Sequence, residues 1–527
     1  MKKVLFLLML TTLLFACDDN DEVAPLPTIN GVTISDDFNP QTSSLPIGDS
    51  LKFSIDATNA ITCQWFVNQK LAGEGSYFIF TPTERGEYSI KVIAQNEDKQ
   101  EKEFEIGTIR VTDPLPVISG ITCNGEAVQG DSITIGVGKP AVLAIQCTNA
   151  EVASCSWRVD GQTIEGADSL KYSFTTEWSG THIINIKVKN RDGAETEKSY
   201  ILTAVGPYKN TPLLILESDQ GMSYGEIAVI ENGVIKENQF QAVNNSFIPA
   251  SVNDATMFKN SIYFLSTAED IIYEADIQTL KLKRKIKKTT QLKATVRRMI
   301  VANDNKAYVT LYNPYNLNQG AILPIDLAQG KIEKAIDMAG IFDGEMFVLG
   351  EKVIFGAGNK LQYIDPATDK ITLIHEFDID VAIKGIKLGK DKRLYVLASV
   401  GNKSRMVGMN SSSFVIESTV DMDAELSNTA ALCASTAQNK LYFVSTGSGW
   451  NIPSKIYCYD TDTQKAIIFK EPQKAMYGYM TISADGDTLY FPWNANFISY
   501  GFIAYSLNGN NHQEYNLNSA TCKAIDK

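Results

Sequence analysis

Short runs in which apolar and polar residues alternate recur along the chain from Pro25 onward. Ile184, Ile186 and Val188, for example, alternate with polar or charged residues. A period of two is typical of a β-strand with one buried face and one exposed face. Glycine, asparagine and aspartate, which favour tight turns, separate these runs. The pattern predicts an all-β protein built from short antiparallel strands.

The chain after Pro25 contains one unit of about ninety residues twice, each copy with a Cys-x-Trp step. Short strands separated by turn residues at this spacing favour a β-sandwich. We therefore predict two tandem sandwich domains, residues 25–112 and 113–206, with Trp65 and Trp157 in their cores. The matching segments are ATNAITCQWFVNQ (57–69) with CTNAEVASCSWRVDG (147–161), and RGEYSIKVIAQNEDK (85–99) with SGTHIINIKVKNRDG (179–193).

A second repeat begins at Pro207, and its period is shorter. Seven strand-like runs have central residues separated by 48, 45, 46, 41, 47 and 48 positions. Most are preceded by a tight polar turn and followed by a further strand that ends on a polar residue, as in a hairpin. Seven such units predict a seven-bladed β-propeller over residues 207–527. The runs are LLILE (from Leu213), SIYFL (Ser261), KAYVT (Lys306), KVIFG (Lys352), RLYVL (Arg393), KLYFV (Lys440) and TLYFP (Thr488).

The first residues of the chain are typical of a secretory signal. Lys2 and Lys3 precede an uncharged, largely apolar run that ends at Ala16 and is too short to span a bilayer. The segment Leu14-Phe15-Ala16-Cys17 resembles the lipobox of bacterial lipoproteins, which implies that residues 1–16 are removed and that Cys17 is acylated. An ordinary cleaved signal is the alternative.

Four acidic residues directly follow that cysteine. The cluster resembles the surface-export signal of Bacteroidota lipoproteins, so residues 17–24 are expected to form an acidic tether. The resemblance implies a chain anchored in outer-membrane lipid through Cys17 and facing the cell exterior. The acidic residues are Asp18, Asp19, Asp21 and Glu22.

Composition and charge exclude several classes of protein. A chain of 527 residues with 44% hydrophobic residues is long and apolar enough for several folded domains. The formal net charge of −13 becomes −15 without Lys2 and Lys3, which argues against a nucleic-acid partner. The three histidines lie far apart and there is no CxxC motif, so we expect no metal site and no cofactor.

Eight cysteines leave seven once Cys17 is acylated, an odd number that cannot all pair. Cys147 and Cys155 are close enough in sequence to bridge two strands if their Cβ atoms face each other. The alternative is that each is a small buried hydrophobic residue.

The connections expected on one face of the propeller are rich in aromatic residues among asparagine, serine and glycine. Exposed aromatic rings beside adaptable hydrogen-bonding groups suit a sugar ring or an extended peptide. The alternative is that the same rings pack the loops against the blades. The candidates for ligand binding are Tyr224, Tyr312, Tyr315, Trp450, Tyr477, Tyr479, Trp493, Phe497 and Tyr500.

The run LKLKRKIKKTTQLKATVRR, residues 280–298, is strongly basic. It can be a site for a polyanion, or charge that protects the outermost strand of a blade from aberrant pairing; the second interpretation is favoured. No catalytic triad, paired carboxylates or metal cluster is recognisable, so no catalytic residue is nominated and no enzyme is expected.

The two copies of the first repeat share Trp-x-x-(Asn/Asp), Gly-x-(Tyr/His)-x-Ile and a terminal Asn-x-Asp. These motifs resemble the PKD-like immunoglobulin-type modules of bacterial surface proteins. Together with the lipobox and the propeller, they resemble the PKD-like surface lipoproteins of Bacteroidota. The resemblance implies a non-enzymatic accessory of a SusC/SusD-like, TonB-dependent uptake system that binds a glycan or peptide. A hydrolase or lyase, and a structural docking partner of an outer-membrane transporter, are the alternatives.

Overall fold

The computed structural model describes residues 23–149, 151–216, 224–268, 270–287, 295–312, 320–338, 346–426, 432–445, 452–495 and 498–526. These residues form an all-β protein, as predicted. They divide into two compact units. The first takes the described residues up to Ile133, with Pro140–Phe174 and His182–Leu202, and the second takes Thr134–Lys139, Thr175–Thr181 and the chain from Thr203. The predicted domain boundaries stay a prediction.

Strands β1 to β17 form two pairs of sheets. Numbered along the chain, the strands are β1 (Thr28–Ile34), β2 (Ser44–Pro46), β3 (Leu51–Thr58), β4 (Thr62–Val67), β5 (Lys70–Glu74), β6 (Tyr77–Phe80), β7 (Gly86–Gln95), β8 (Glu101–Thr112), β9 (Val117–Cys123), β10 (Glu126–Ala127), β11 (Ser132–Gly136), β12 (Ala141–Thr148), β13 (Val152–Val159), β14 (Gln162–Thr163), β15 (Lys171–Phe174), β16 (Gly180–Asn190) and β17 (Glu195–Val205). The first pair has the strand orders β1-β3-β6 and β2-β8-β7-β4-β5, and the second pair has β10-β9-β12-β15 and β11-β17-β16-β13-β14. A single 3-10 turn, Ser35–Asp37, follows β1.

Both predicted core tryptophans are fully buried. Trp65 packs with Phe53 and side chains from both sheets of the first pair. Its indole N–H donates to the carbonyl of Gly75 at 2.9 Å, and that of Trp157 donates to the carbonyl of Ser169 at 2.8 Å. A buried indole needs such an acceptor, because an unpaired N–H away from water costs free energy. The prediction that these tryptophans are core residues is confirmed.

The Asn-x-Asp motif makes equivalent hydrogen bonds in both copies. The Asn96 amide donates to the carbonyls of Ala24 and Pro25, and the Asn190 amide donates to those of Asp113 and Pro114. The aspartate two residues later accepts the backbone N–H of Ala24 or of Asp113, at 2.7 Å in each case. The motif thus fixes the chain just before the first strand of each copy.

An ionic cluster surrounds the second of these fixed points. Asp113 is buried and accepts two hydrogen bonds from the Arg191 guanidinium, at 2.8 and 3.1 Å. Arg85, from the first copy, lies 2.7 Å from Asp192 and 3.6 Å from Asp113. The hydrogen bonds from Arg191 hold the pKa of Asp113 below its usual range. Charge-assisted bonds between two planar groups fix direction as well as distance, so the junction of the two copies is a defined contact.

The possible disulfide between Cys147 and Cys155 is not formed. Both are free thiols, on β12 and β13, which belong to different sheets. Burial raises the pKa of each thiol, and for Cys155 the charge of Asp168 adds to the effect. The reactive species is the thiolate, so a raised pKa slows alkylation.

We therefore expect iodoacetamide at neutral pH to alkylate Cys147 and Cys155 slowly in the native protein and rapidly after unfolding. Mass spectrometry of tryptic peptides, without prior reduction, measures both rates. Cys63, another free thiol of the first unit, is the internal comparison because its pKa is also raised by burial. A cross-linked peptide holding Cys147 and Cys155 would contradict the expectation.

The second unit contains the remaining strands and one short helix, α1 (Gln239–Asn244). The strands are β18 (Leu213–Leu216), β19 (Tyr224–Glu231), β20 (Val234–Lys236), β21 (Ile248–Pro249), β22 (Val252–Phe258), β23 (Ser261–Ser266), β24 (Asp270–Asp276), β25 (Leu282–Lys287), β26 (Thr295–Asn303), β27 (Lys306–Tyr312), β28 (Gly320–Asp326), β29 (Lys331–Ile332), β30 (Ile336–Met338), β31 (Phe347–Leu349), β32 (Lys352–Ala357), β33 (Lys360–Asp365), β34 (Lys370–Glu376), β35 (Val381–Leu388), β36 (Arg393–Val400), β37 (Lys403–Asn410), β38 (Ile416–Met422), β39 (Leu432–Ala434), β40 (Lys440–Ser445), β41 (Lys455–Asp460), β42 (Lys465–Lys470), β43 (Ala475–Met476), β44 (Thr481–Ile482), β45 (Thr488–Ala495), β46 (Ser499–Ser506), β47 (His512–Leu517) and β48 (Thr521–Ile525).

These strands form seven antiparallel sheets in the described part of the unit. All seven predicted runs are strands, and each is the second strand of its sheet: β18, β23, β27, β32, β36, β40 and β45. Numbered in that order, sheets one to seven have the strand orders β48-β18-β19-β20, β22-β23-β24-β25, β26-β27-β28-β29, β31-β32-β33-β34, β35-β36-β37-β38, β39-β40-β41-β42 and β43-β45-β46-β47; β21, β30 and β44 pair with β19, β28 and β45.

Sheet one is made from both ends of the second unit. Its first strand, β48, is the last strand of the chain and pairs antiparallel with β18. Along the series, first strands lie beside one another: β48 beside β22, β22 beside β26, β26 beside β31, and β35 beside β39. In sheet seven the contacts are made by β44, which pairs with β45 as β43 does and lies beside β39 and β48. Sheets four and five meet through β32 and β35. The first strands therefore form the part of the unit where different sheets meet.

Candidate functional site

Four of the first strands contain a local irregularity in their pairing. The pairing register shifts at Asn253 in β22, at Arg297 and Arg298 in β26, at Lys384 in β35 and at Cys522 in β48. Such a β-bulge interrupts the alternation of side chains and re-aims them, and bulges occur often beside binding sites. Here the bulges carry polar or charged residues in three sheets, and the buried thiol of Cys522 in the fourth.

Arg298 and Tyr479 stack on each other although they belong to sheets three and seven. The carbon atom of the Arg298 guanidinium lies 3.2 Å from the centroid of the Tyr479 ring. Tyr479 is held by its backbone N–H, which donates to the carbonyl of Cys522 at 2.7 Å. The preceding residue must be glycine: Gly478 has a φ of +84°, and a Cβ there would lie 2.3 Å from two carbonyl oxygens.

A buried ion pair joins sheets one and two beside this stack. The Lys523 ammonium lies 2.6 Å from the carboxylate of Asp254, whose side chain is 3% exposed. The same carboxylate accepts the backbone N–H groups of Ala255 and Met299, each at 2.9 Å. Asp254 thus connects three sheets, through Lys523 of sheet one, its own β22 and Met299 of sheet three.

We call Asp254, Arg297, Arg298, Tyr479 and Lys523 the first-strand cluster. Arg297, Arg298 and Tyr479 are each partly exposed. Burial among neighbouring strands raises the pKa of Tyr479 to about 12, and the charges of Arg298 and Arg297 act in the opposite direction. The phenol is therefore protonated at neutral pH and can donate a hydrogen bond.

A concave feature lies at sheet one. It has a volume of about 400 Å³ and is lined by Tyr224, Glu237 and Asn518, together with Leu216, Glu226, Asn238 and Ser519. We call it the Tyr224 pocket. The Tyr224 ring packs on Phe247 with centroids 4.0 Å apart, which fixes its orientation. Asn518 is held by Glu237, whose carboxylate accepts its backbone and amide N–H groups at 3.2 and 3.1 Å.

Glu226 forms the buried wall of the Tyr224 pocket. Burial raises the pKa of its carboxyl, and hydrogen bonds from the backbone partly oppose that shift. The N–H groups of Ile227 and Phe240 donate to Oε1 at 2.9 and 2.7 Å, and that of Gln241 donates to Oε2 at 3.2 Å. Glu226 therefore holds the backbone at the start of α1.

Five of the nine predicted ligand-binding residues have described side chains. Tyr479 lies in the first-strand cluster and Tyr224 in the pocket. Trp493 and Tyr500 are 2% and 4% exposed, so protein covers their rings. Tyr477 contacts Tyr500 with centroids 6.4 Å apart. The other predicted site residues lie outside the described side chains: Cys17, Tyr312, Tyr315, Trp450 and Phe497.

The interpretation of the basic run is corrected in part. Leu282–Lys287 forms β25, the outermost strand of sheet two, as predicted. Arg297 and Arg298 instead lie on β26, the first strand of sheet three, where other sheets meet. A similar spacing in the sequence does mark three residues of the first-strand cluster. Asp254, Arg298 and Tyr479 precede Tyr263, Tyr308 and Tyr490, the central residues of the second strands that follow them, by 9, 10 and 11 positions.

Within the described ranges, no group of three or more His, Cys, Asp or Glu side chains is placed to hold a metal ion. In the same ranges, no helix is long and apolar enough to cross a membrane.

The class defined by this fold is an all-β protein with a tandem series of antiparallel sheets. Residues 221–490 match the family model described as "Domain of unknown function (DUF5074)", and this match spans just over half of the chain. The chain belongs to that family. No curated protein sequence matches it significantly.

Several solved structures are similar in fold. A quinoprotein alcohol dehydrogenase-like protein from Bacteroides thetaiotaomicron has 16% identity and a TM-score of 0.47, covering 78% of this chain and 100% of that one. TolB from Acinetobacter baumannii has 11% identity and a TM-score of 0.37, with coverage of 66% and 79%. A streptogramin B lyase has 16% identity and a TM-score of 0.38, with coverage of 53% and 89%.

Proposed function

We propose that the chain is a lipid-anchored protein of the outer membrane whose second unit is a seven-bladed β-propeller that binds a glycan or peptide without catalysis. The succession of sheets supports the propeller. Each of the seven sheets contacts the next, and β48 brings sheet one beside both sheet two and sheet seven. Residues of sheets one, two, three and seven meet in the first-strand cluster, as expected for strands around a central channel.

The Tyr224 pocket is the observation that carries the binding function. It combines an oriented aromatic ring with amide, hydroxyl and carboxylate groups in a volume of about 400 Å³. A flat apolar face surrounded by convergent hydrogen-bonding groups suits a sugar ring or a peptide backbone. Because backbone N–H groups already occupy the carboxylate oxygens of Glu226, the pocket supports binding rather than acid catalysis.

We infer roles for the other parts of the chain from the sequence. Acylated Cys17 anchors the protein, and the two sheet pairs of the first unit, as PKD-like immunoglobulin-type modules, act as a spacer. The ionic junction between the copies, with Arg85 beside Asp192, supports a spacer of defined geometry. A surface binder of this kind supplies its ligand to a SusC/SusD-like, TonB-dependent transporter.

We expect Tyr224→Ala to weaken glycan or peptide binding at least about tenfold, because truncating an aromatic anchor removes more than about 1.4 kcal/mol of binding free energy. Arrays of glycans and peptides identify the ligand, and titration calorimetry on the mature chain measures the loss. Tyr77→Ala is the control, since this exposed tyrosine lies in the first unit. Equal affinity in both variants would reject the pocket as the site.

A separate experiment tests the transporter. A tagged chain is solubilised in detergent from its own cells and isolated with its bound proteins. Recovery of a TonB-dependent receptor, identified by mass spectrometry, supports the accessory role. A Cys17→Ala chain is expected to be released from the membrane fraction. Retention of that chain, or recovery of the wild type without any outer-membrane protein, counts against the corresponding part of the proposal.

A further inference from the structure

We propose that the Tyr224 pocket binds a protonated primary amine, and that the lysine side chain of a peptide supplies it. This inference rests on the proposed function and deepens it, because it chooses the peptide over the glycan and assigns the group that enters the pocket. It is supported by the charge of the pocket, its hydrogen-bonding groups, its apolar wall and two buried oxygen atoms beside it.

The charge of the pocket is the first reason. Glu226 and Glu237 both line it, and the described residues around it include no lysine or arginine. Carboxylates in a partly enclosed cavity concentrate cations and repel anions. Burial raises the pKa of Glu226, and an adjacent ammonium opposes that shift because it favours the ionised carboxyl. The pocket therefore suits a positive charge better than a neutral or negative group.

The hydrogen-bonding groups of the pocket are the second reason. Its carboxylates accept hydrogen bonds, and the amide and backbone N–H groups of Asn518 already donate to Glu237. A carboxylate oxygen has two lone pairs, so Oε2 of Glu226, which accepts the Gln241 N–H at 3.2 Å, can accept a second donor. A lysine ammonium has three donors and no acceptor, whereas every sugar hydroxyl also brings acceptors. The balance of groups favours the ammonium.

The apolar wall of the pocket suits the rest of a lysine side chain. The Tyr224 ring packs on Phe247 with centroids 4.0 Å apart, and Leu216 also lines the cavity. A lysine stem packs on such a surface while its ammonium reaches polar groups. An ammonium over the face of a tyrosine ring also gains cation–π attraction.

Two buried oxygen atoms near the pocket are the last reason. Thr521 and Asn494 are 2% and 3% exposed. Oγ1 of Thr521 and Oδ1 of Asn494 have no hydrogen-bond partner in the described part of the chain. A buried polar atom without a partner costs free energy, and a bound donor removes that cost.

The strand register places both residues between sheets one and seven, at the pocket. Thr521 pairs with Leu216, which lines the pocket, and partners in an antiparallel ladder share a face. Asn494 pairs with Tyr500, which in turn pairs with Leu517, the residue directly before two lining residues. Leu216 and Leu517 pack in one cluster between the two sheets. The two oxygen atoms thus belong to the faces that meet beside the pocket.

Paired peptides test the charge. One probe is a pentapeptide with blocked ends and a central lysine, and the other is the same peptide with that lysine acetylated at Nζ. Titration calorimetry on the mature chain is expected to show at least about tenfold tighter binding of the free lysine, because a charged donor strengthens hydrogen bonds. Equal affinity, or binding of neither peptide, overturns the inference.

Paired sugars test the source of the amine. The trimers of glucosamine and of N-acetylglucosamine differ by the same acetylation. We expect both trimers to bind more weakly than the lysine peptide, because their hydroxyl and ring oxygens add acceptors to a pocket that already holds an excess of them. If the glucosamine trimer binds more tightly than the lysine peptide, lysine is not the source of the amine.

Variants locate the effect. Glu237→Gln removes a charge at nearly constant shape and is expected to reduce the preference for the free lysine severalfold. Asn494→Leu is expected to weaken binding severalfold without lowering the Tm, because it removes a buried acceptor that has no described partner. Glu231→Gln is the matched control, since it removes a charge on β19 outside the pocket. If the first two variants are folded and keep the full preference, the inference is wrong.

The two proposals fail differently. If Tyr224→Ala binds the array ligands as tightly as the wild type, the proposed site is rejected and the inference with it. If the arrays yield a ligand without an amine, and Tyr224→Ala binds that ligand more weakly, the proposed function stands and only the ammonium is rejected.

Discussion

A chain that ends at Ser519, without β48, is expected to lose the cooperative unfolding transition of its second unit. β48 is the first strand of sheet one, and Thr521, Cys522, Ala524 and Ile525 are all at most 7% exposed. Its loss leaves β18 with an unpaired edge and removes the strand that lies beside β22 and β44. Unpaired backbone groups on a buried edge are costly and invite association with other chains.

The effect is expected to be larger than that of any single substitution, because a whole strand ladder and its buried side chains are lost together. Differential scanning calorimetry and urea unfolding measure it. The first unit serves as an internal control, since β48 belongs to the second unit and the transition of the first should remain. Addition of a peptide of residues 520–527 should restore part of the lost transition. A truncated chain with an unchanged second transition would show that β48 is dispensable.

The second strands were predictable because they carry a dense local signal. Runs such as SIYFL and RLYVL combine β-branched or aromatic residues with a flanking polar turn, and they recur with one period. The further strand predicted after each run was expected to end on a polar residue, and Asp276 and Asp460 are indeed the last residues of β24 and β41. Hairpins are local structures, so short stretches of sequence suffice to predict them.

The first strands were harder to predict for a physical reason. β43 and β44 have two residues each, and β26 and β35 are bulged at their charged residues, so the alternation that marks a strand is interrupted. The partners of β48 are also about three hundred positions away in sequence. Local patterns carry no information on such pairings, which tertiary packing decides.

The candidate site, too, could be predicted only in part from local sequence patterns. The run of residues 280–298 is continuous in sequence, yet Leu282–Lys287 lies on the last strand of one sheet and Arg297 and Arg298 lie on the first strand of the next. Aromatic composition led to Tyr224 and Tyr479, but it also led to Trp493 and Tyr500, which are buried. Composition alone does not distinguish a ring that packs from a ring that binds.

Asp254→Ala is expected to lower the free energy of unfolding of the second unit by about 3 to 5 kcal/mol, the usual cost of removing one partner of a buried ion pair. The substitution leaves the Lys523 ammonium, whose side chain is 15% exposed, without the anion at 2.6 Å. It also removes the acceptor of the Ala255 and Met299 N–H groups. Urea unfolding, monitored by near-ultraviolet circular dichroism, measures the change.

An exposed ion pair in the same unit is a matched control for the effect of burial on the cost of removing one partner. Lys259 and Asp304 form an ion pair at 2.5 Å that also joins the segments after β22 and β26, but both side chains are 64% exposed. Water screens such a pair, so Asp304→Ala should cost less than about 1 kcal/mol. If the two alanine variants lose equal stability, burial of the Asp254 carboxylate is not the cause.

A double substitution separates the ion pair from the backbone contacts. Asp254→Ala combined with Lys523→Met removes both charges, so the penalty for a buried, unpaired ammonium disappears while the two N–H groups still lack their acceptor. The double variant should therefore be more stable than Asp254→Ala alone. If it is less stable instead, the ammonium of Lys523 contributes through contacts other than Asp254. The backbone acceptor is lost in both variants, so the sign of that difference decides whether the Lys523 ammonium destabilises the unit once Asp254 is gone or stabilises it through other contacts.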